Sequence, residues 1–393
     1  MSKRKTQTAP RAKRQPCDIL ILTGSIGSGH LSVAKAIKEA ILIQSGTRAR
    51  VEIIDLLTTM QSLVTRATKS FYLSSLQISP KIYQLLFNSS SEALWPLKIL
   101  NFLSEPFMQE KFRELLEEKH PTVLVSTYPM WNLLIKKVWK KYCNNHPNLT
   151  KHPFICVVTD SISVHNSWTH GNPDYFVVAN KDTSIALQKL GVAPAKIKTF
   201  GYPVSNQFSQ DVSRATFGQK WNLSTQKKTL LLILSSGLTW GKIKTLIIKI
   251  QNCSSENLQL VVIATDKTWR EKLEKITWRL PTRITGWTNE MHSFIKSSDI
   301  VITKAGGATI MECIASKKPV IIFESLPGHE AGNSILVQKY NLGRVLNPHL
   351  DDFDEAVEYI LNNSALIEKN ISAMQKPQAS KNIAKFLIKL AKS

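Results

Sequence analysis

Twice along the chain an unbroken apolar run ends in a glycine turn and passes into a helical pattern. The first instance is CDILILTGSIGSGH at residues 17–30, followed by LSVAKAIKEAILIQ with Ala34, Ile37 and Ile41 on one helical face. The second is TLLLILSSGLTWG, from Thr229. A strand that is apolar at every position has both faces covered, which calls for a parallel sheet between helices. Shorter runs follow each of the two: VEIIDLL (51–57), TVLVSTYP (122–129), FICVVTDS (154–161) and DYFVVAN (174–180) after the first, and LQLVVIAT (258–265), TRITGW (282–287), DIVITKAGG (299–307) and KPVIIFES (318–325) after the second. The expected fold is α/β: two doubly wound, Rossmann-like domains facing a central cleft, with ligands at the carboxyl ends of the strands.

A length of 393 residues suits two such domains. The expected division is a basic, disordered tail at 1–16, a first domain at 17–205, a second at 206–375 and an amphipathic basic helix at 376–393. FGYPVSNQF (200–208) reads as the hinge between the two halves. Inside the first domain, residues 60–119 form an insertion rich in aromatics, including Phe71, Tyr72, Tyr83, Phe87, Trp95, Phe102 and Phe107. Packed core helices are one reading of it, and an apolar groove or membrane-dipping segment is the other.

Net charge is +22, with 26 Lys/Arg against 13 Asp/Glu in residues 1–205 and 25 against 16 in the remainder. Both halves are basic, so the excess is not confined to a tail. Nucleic acid, an anionic membrane surface or a phosphorylated ligand would each suit it. Clustered arginines with interleaved aromatics are missing, which argues against nucleic acid. No apolar run approaches the length of a transmembrane helix, and the basic N-terminus lacks the apolar core of a secretory signal. Cys17, Cys143, Cys156, Cys253 and Cys313 are scattered without metal spacing and read as free thiols of a reducing compartment.

Four segments carry candidate chemistry. In GSIGSGH (24–30) the spacing is GxxGxG, which fails the dinucleotide fingerprint, and His30 stands where a P-loop requires lysine. What remains is a glycine turn, with Gly27 and Gly29 letting backbone approach a ligand and His30 at its tip as a general base or a plain helix cap. VVTDSISVHNSWTHG places Asp160 at the end of a strand, with His165 and Trp168 on the same loop. Ser236 and Gly237 lie in the second glycine turn, whose amides and hydroxyls suit a diphosphate. In TKAGGATIMEC, Gly306, Gly307 and Thr309 open a helix that carries Glu312, and PGHEAGN sets Glu330 and Asn333 three apart. Carboxylates and amides so placed suit sugar hydroxyls; each alone would pass for a surface polar group.

TKAGGATIMECIASKKPVI with PGHEAGN resembles the nucleotide-sugar motif of the glycosyltransferase family that includes monogalactosyldiacylglycerol synthase and the processive diacylglycerol glucosyltransferases. GSIGSGHLSVAKAI, VTDSISVHNSW and GWTNEM are similar to further motifs of that family, so the likeness runs from about residue 18 to 345. The resemblance implies a GT-B fold of family 28, with a UDP-sugar in the C-terminal domain and diacylglycerol in the N-terminal one. It implies Glu312 at the ribose, Glu330 and Asn333 at the donor sugar, Ser236, Gly237, Gly306, Gly307 and Thr309 at the diphosphate, and Gly286 and Trp287 near the base. His30 or Asp160 would be the catalytic base, with Gly27, Gly29, His165 and Trp168 on the acceptor side. The expected activity is inverting hexosyl transfer to diacylglycerol, with no metal or other cofactor and no nucleic-acid partner. Such an enzyme would be cytoplasmic, held peripherally on the inner face of the membrane. Two rivals share the fold: N-acetylglucosaminyl transfer to a lipid-linked acceptor, and UDP-sugar 2-epimerisation. SSGLTWG is poorer in glycine than the family's loop, and His329 stands where glutamine is common, so the donor sugar does not carry over.

Overall fold

The computed structural model describes residues 17–24, 29–46, 48–59, 95–146, 152–326 and 330–392. The basic tail, Gly27, His329 and residues 60–94 of the aromatic insertion lie outside the described residues.

Six strands form the first sheet: β1 (Ile19–Thr23), β2 (Val51–Asp55), β3 (Val123–Ser126), β4 (Phe154–Val157), β5 (Tyr175–Val177) and β6 (Ile197–Lys198). Their order is β2-β1-β3-β4-β5-β6, and every pairing is parallel. The second sheet holds β7 (Lys228–Leu234), β8 (Leu258–Ala264), β9 (Thr282–Thr285), β10 (Ile300–Lys304), β11 (Val320–Glu324) and β12 (Gly343–Val345). These run β12-β11-β10-β7-β8-β9, again all parallel. Chain direction across the sheet reverses beside β1 and beside β7, the two strands that precede the glycine turns. Helices cover both faces, which is why Ile19 to Leu22 and Leu230 to Leu232 are wholly buried.

Four helices border the junction of the halves: α1 (Gly29–Ser45), α2 (Gly307–Ala315), α3 (Ala331–Lys339) and α4 (Ala379–Lys392). α4 does not end as a free amphipathic helix. It returns to the first half and packs on α1, burying Ala379, Ile383, Ala384 and Leu387 while Lys381, Lys385, Lys389 and Lys392 stay exposed. Its apolar face is therefore closed to a membrane, and only its basic face is open. Phe386 meets Tyr175 and Phe200 edge-on, at 5.2 and 5.6 Å between centroids. In the segment expected as a hinge, Tyr202 and Phe208 are buried and Val204 exchanges two backbone bonds with the Ser380 hydroxyl. At Gly201, with φ +107, a Cβ would lie 2.8 Å from that of Ala379, so only glycine passes there.

The last turns of the expected insertion belong to the core. A helix over Trp95–Lys119 feeds β3, and its Phe112, Leu115 and Leu116 are buried with Leu20, Leu22 and Leu124. Phe107 is exposed.

Candidate functional site

His30 is the second residue of α1, and its Nδ1 lies 2.8 Å from the Thr127 carbonyl oxygen and 3.1 Å from the Thr159 hydroxyl. Only a ring N–H can face a carbonyl, so Nδ1 carries a proton. Tyr128 packs against the imidazole edge-on at 4.9 Å. Just after β1, a Cβ on Gly24 would lie 2.7 Å from the Tyr128 ring.

Asp160 follows Thr159 just beyond β4, and its Oδ2 accepts the Trp168 indole N–H at 2.7 Å. Trp168 is buried among Cys156, Val158, Phe176, Val178 and Leu187, with its ring 6.3 Å from that of His30. His165 caps the short helical turn at 166–169, where its Nδ1 accepts from the Ser167 backbone N–H at 3.2 Å and lies 2.8 Å from the Ser167 hydroxyl. Burial, and then the neighbouring His170, hold its pKa below the usual imidazole value.

From the other half, α2 points its N-terminus at these groups. Gly306 is its N-cap and supplies no side-chain cap, so the first-turn N–H groups keep their donors and the positive end of the helix. A Cβ on Gly307 would sit 3.6 Å from the Thr159 carbonyl oxygen and 3.5 Å from Asn333 Nδ2, and one on Gly29 3.8 Å from Ala308 Cβ. The N-termini of α1 and α2 thus meet across the cleft. Thr309 is half-buried in the first turn of α2. Glu312 lies one turn further on, half-buried, and among the described residues no hydrogen bond or ion pair engages its carboxyl. Burial alone pushes its carboxyl up to about 8.

Glu330 and Asn333 are both buried and both already engaged. Lys304 donates to Glu330 Oε1 at 2.7 Å, and the Leu326 N–H donates to Oε2 at 3.0 Å. Asn333 accepts the Ser161 hydroxyl at 2.6 Å and donates to Ala305 O at 2.8 Å. In the turn after β7, Ser236 is exposed and Gly237 has φ +90. Gly286 lies beneath the Arg270 guanidinium, and Trp287 is exposed at the end of β9. The structure therefore gathers His30, Asp160, Gly307, Asn333 and, through Lys304, Gly237 and Glu330; among the described residues nothing joins Trp287 to them.

Four residues escaped sequence reasoning: Thr127, Thr159, Ser161 and Lys304. The last three sit inside motifs read from the sequence, but their roles depend on partners far along the chain. Three groups able to hold a metal, on Glu117, His120 and His146, cluster on the surface beside the start of β3, at the opposite end of the sheet from His30.

Two all-parallel, doubly wound sheets with their strand ends turned to a shared cleft define a GT-B glycosyltransferase fold. Solved structures agree. The kitacinnamycin glycotransferase matches with a TM-score of 0.61 at 13% identity, over 95% of this chain and 99% of the other. UDP-GlcNAc 2-epimerase from Neisseria meningitidis, bound to UDP-GlcNAc, matches at 0.57 and 12%, over 95% and 99%. The calicheamicin glycosyltransferase CalG4 matches at 0.59 and 13%, over 95% and 97%.

Residues 30–204 match the monogalactosyldiacylglycerol (MGDG) synthase family, and residues 241–386 match the glycosyltransferase family 28 C-terminal domain. The chain belongs to this family of GT-B glycosyltransferases. It is similar to processive diacylglycerol beta-glucosyltransferases from Bacillus pumilus (26% identical, 94% of each chain covered) and Bacillus subtilis (25%, again 94% of each). The protein of that name from Bacillus mycoides is 27% identical, over 93% of this chain and 89% of its own.

Proposed function

We propose that the chain moves a hexose from a UDP-sugar to diacylglycerol with inversion of the anomeric centre, without a metal. The observation that carries this reading is the meeting of the two helix N-termini. α1 brings His30, whose Nδ1 donates to the Thr127 carbonyl, to the place where α2 presents unfilled N–H donors and Glu312. An acceptor hydroxyl attacks the anomeric carbon from the α1 side, and its proton passes to His30 Nε2 or to Asp160. The bond from the anomeric carbon to the β-phosphate oxygen breaks, and its electrons stay on the departing UDP. The α2 N-terminus faces the charge that develops there. Glu312, unpaired and half-buried, suits the two hydroxyls of the ribose.

Attachment to an anionic leaflet follows from the charge. The net +22 is spread over both halves, and the exposed lysines of α4 form one basic stripe. No helix of the described residues is long and apolar enough to cross a membrane, so the stripe would hold the enzyme at the surface.

The deciding experiment incubates the protein with diacylglycerol and labelled UDP-glucose, UDP-galactose and UDP-glucuronate in turn, with and without EDTA. A β-linked glycolipid from one α-linked donor, at a rate that EDTA leaves unchanged, is the expected outcome. Absence of glycolipid from every donor refutes the transfer reading, and loss of product in EDTA refutes metal independence.

A further inference from the structure

Lys304 ends β10, and the pairing of β10 with β11 shifts register between Thr303 and Lys304. A shift of this kind re-aims the side chain that follows it. The Lys304 ammonium lies against Glu330, with the two side chains 15% and 3% exposed. Attraction inside such a pair barely offsets the cost of taking both charges out of water, and an apolar pair would fill the same space as well. Packing alone therefore gives no account of it.

Its place in the fold does. β10 and β7 are neighbours where the strand order reverses, and the crevice outside the carboxyl ends of such strands is where ligands bind in open α/β sheets. A Cβ on Gly237, in the turn after β7, would lie 3.7 Å from Lys304 Nζ. The ammonium thus borders one side of that turn, and α2 begins three residues beyond Lys304 on the other. Lys242 reaches the same end of the sheet but donates to Pro348 O at 2.8 Å and lies 3.6 Å from Glu324. Glu330 in turn is held by the Leu326 N–H, so the carboxylate fixes the ammonium rather than following it.

We propose that Lys304 is the cation of the donor's diphosphate and that Glu330 is its positioning residue. This role rests on the UDP-sugar reading above. As the anomeric carbon leaves, the electron pair of the broken bond remains on the β-phosphate; Lys304 keeps its proton and donates a charge-assisted hydrogen bond to that oxygen. A fixed ammonium beside a helix N-terminus supplies there the charge that a divalent cation supplies in metal-dependent sites. Glu330, held by the Leu326 N–H, then orients the ammonium.

The test compares binding of UDP and of uridine, together with turnover, in the wild type, Lys304→Gln, Lys304→Arg and Glu330→Gln. Lys304→Gln is expected to weaken UDP about 10- to 100-fold while leaving uridine unchanged; Lys304→Arg restores part of the loss, and Glu330→Gln shows the same selective pattern. Should Lys304→Gln fail to fold, the apolar pair Lys304→Met with Glu330→Leu carries the same comparison in a packed core. UDP binding and turnover within twofold of wild type in a folded Lys304 variant would overturn the role. A wild type that binds uridine but not UDP also overturns it, and one that binds neither overturns the donor reading itself.

Discussion

Asn333 accepts the Ser161 hydroxyl at 2.6 Å, joining residues 172 apart across the cleft. The same amide donates to Ala305 O beside the start of α2, so one buried side chain ties the loop after β4 to the start of α2. Close by, a Cβ on Gly332 would lie 2.6 Å from Ser163 Oγ, and Lys339 and Tyr340 both reach Asp182. Asn333→Ala would leave the Ser161 hydroxyl and the Ala305 carbonyl buried without a partner, at a cost of about 1–3 kcal/mol to the closed arrangement. The expected result is a larger radius of gyration by small-angle scattering and slower turnover, with the secondary structure of the chain retained by circular dichroism. A variant as compact as wild type would show that the closed state does not depend on this amide.

The transfer proposed above gives the proton of the acceptor to His30 or to Asp160. His30→Ala should lower turnover by about 10²- to 10⁴-fold if the imidazole is the base, while UDP affinity by calorimetry stays at the wild-type level. Asp160→Asn, which keeps the Trp168 contact, should then have the smaller effect. The reverse ranking assigns the base to Asp160 and leaves His30 as an orienting group.

Much of this was open to inspection in the sequence. Parallel strands buried on both faces must be apolar at every position, so CDILILT and TLLLIL announced the two central strands. β6 and β12 did not, because edge strands of two and three residues carry no pattern. His30 and Asp160 stand out in the sequence because each follows the end of a strand. The burial of Trp168 does not: an indole can fill the core and still send its N–H to Asp160, and spacing does not distinguish a buried from an open ring. Lys304 carries no signal of its own inside its motif, because its partner Glu330 lies 26 residues on and the turn at Gly237 lies 67 residues before it.

α4 separates two uses of one helix. Leu387 is wholly buried where α4 meets the first half, so Leu387→Ala should cost about 2–5 kcal/mol and lower the melting temperature without altering the charge. Replacing Lys381, Lys385, Lys389 and Lys392 with glutamine should leave melting almost unchanged but weaken cosedimentation with anionic vesicles, each charge near the surface being worth about 1 kcal/mol. Equal sedimentation of this variant and wild type would remove α4 from the membrane contact.

Glu312 offers a test that depends on the sign of one proton. Its carboxyl is raised from an ordinary 4.5 to about 8 by burial alone, so the folded chain holds a proton that the unfolded chain has already lost between these values. Stability from this group is therefore complete below about pH 4.5 and declines as pH rises towards 8, at most about 1.4 kcal/mol per unit. Glu312→Gln cannot ionise, so its melting temperature relative to wild type should climb across that window and level off above it. Ligand binding runs the other way. Ribose hydroxyls donate to the ionised carboxylate, so uridine, which has no phosphate to confuse the titration, should bind wild type more tightly as pH goes from 6 to 8.5 and release a proton on binding at pH 7. The same profile for Glu312→Gln should be weak and flat. If wild-type uridine affinity does not vary over this range, Glu312 does not hold the ribose.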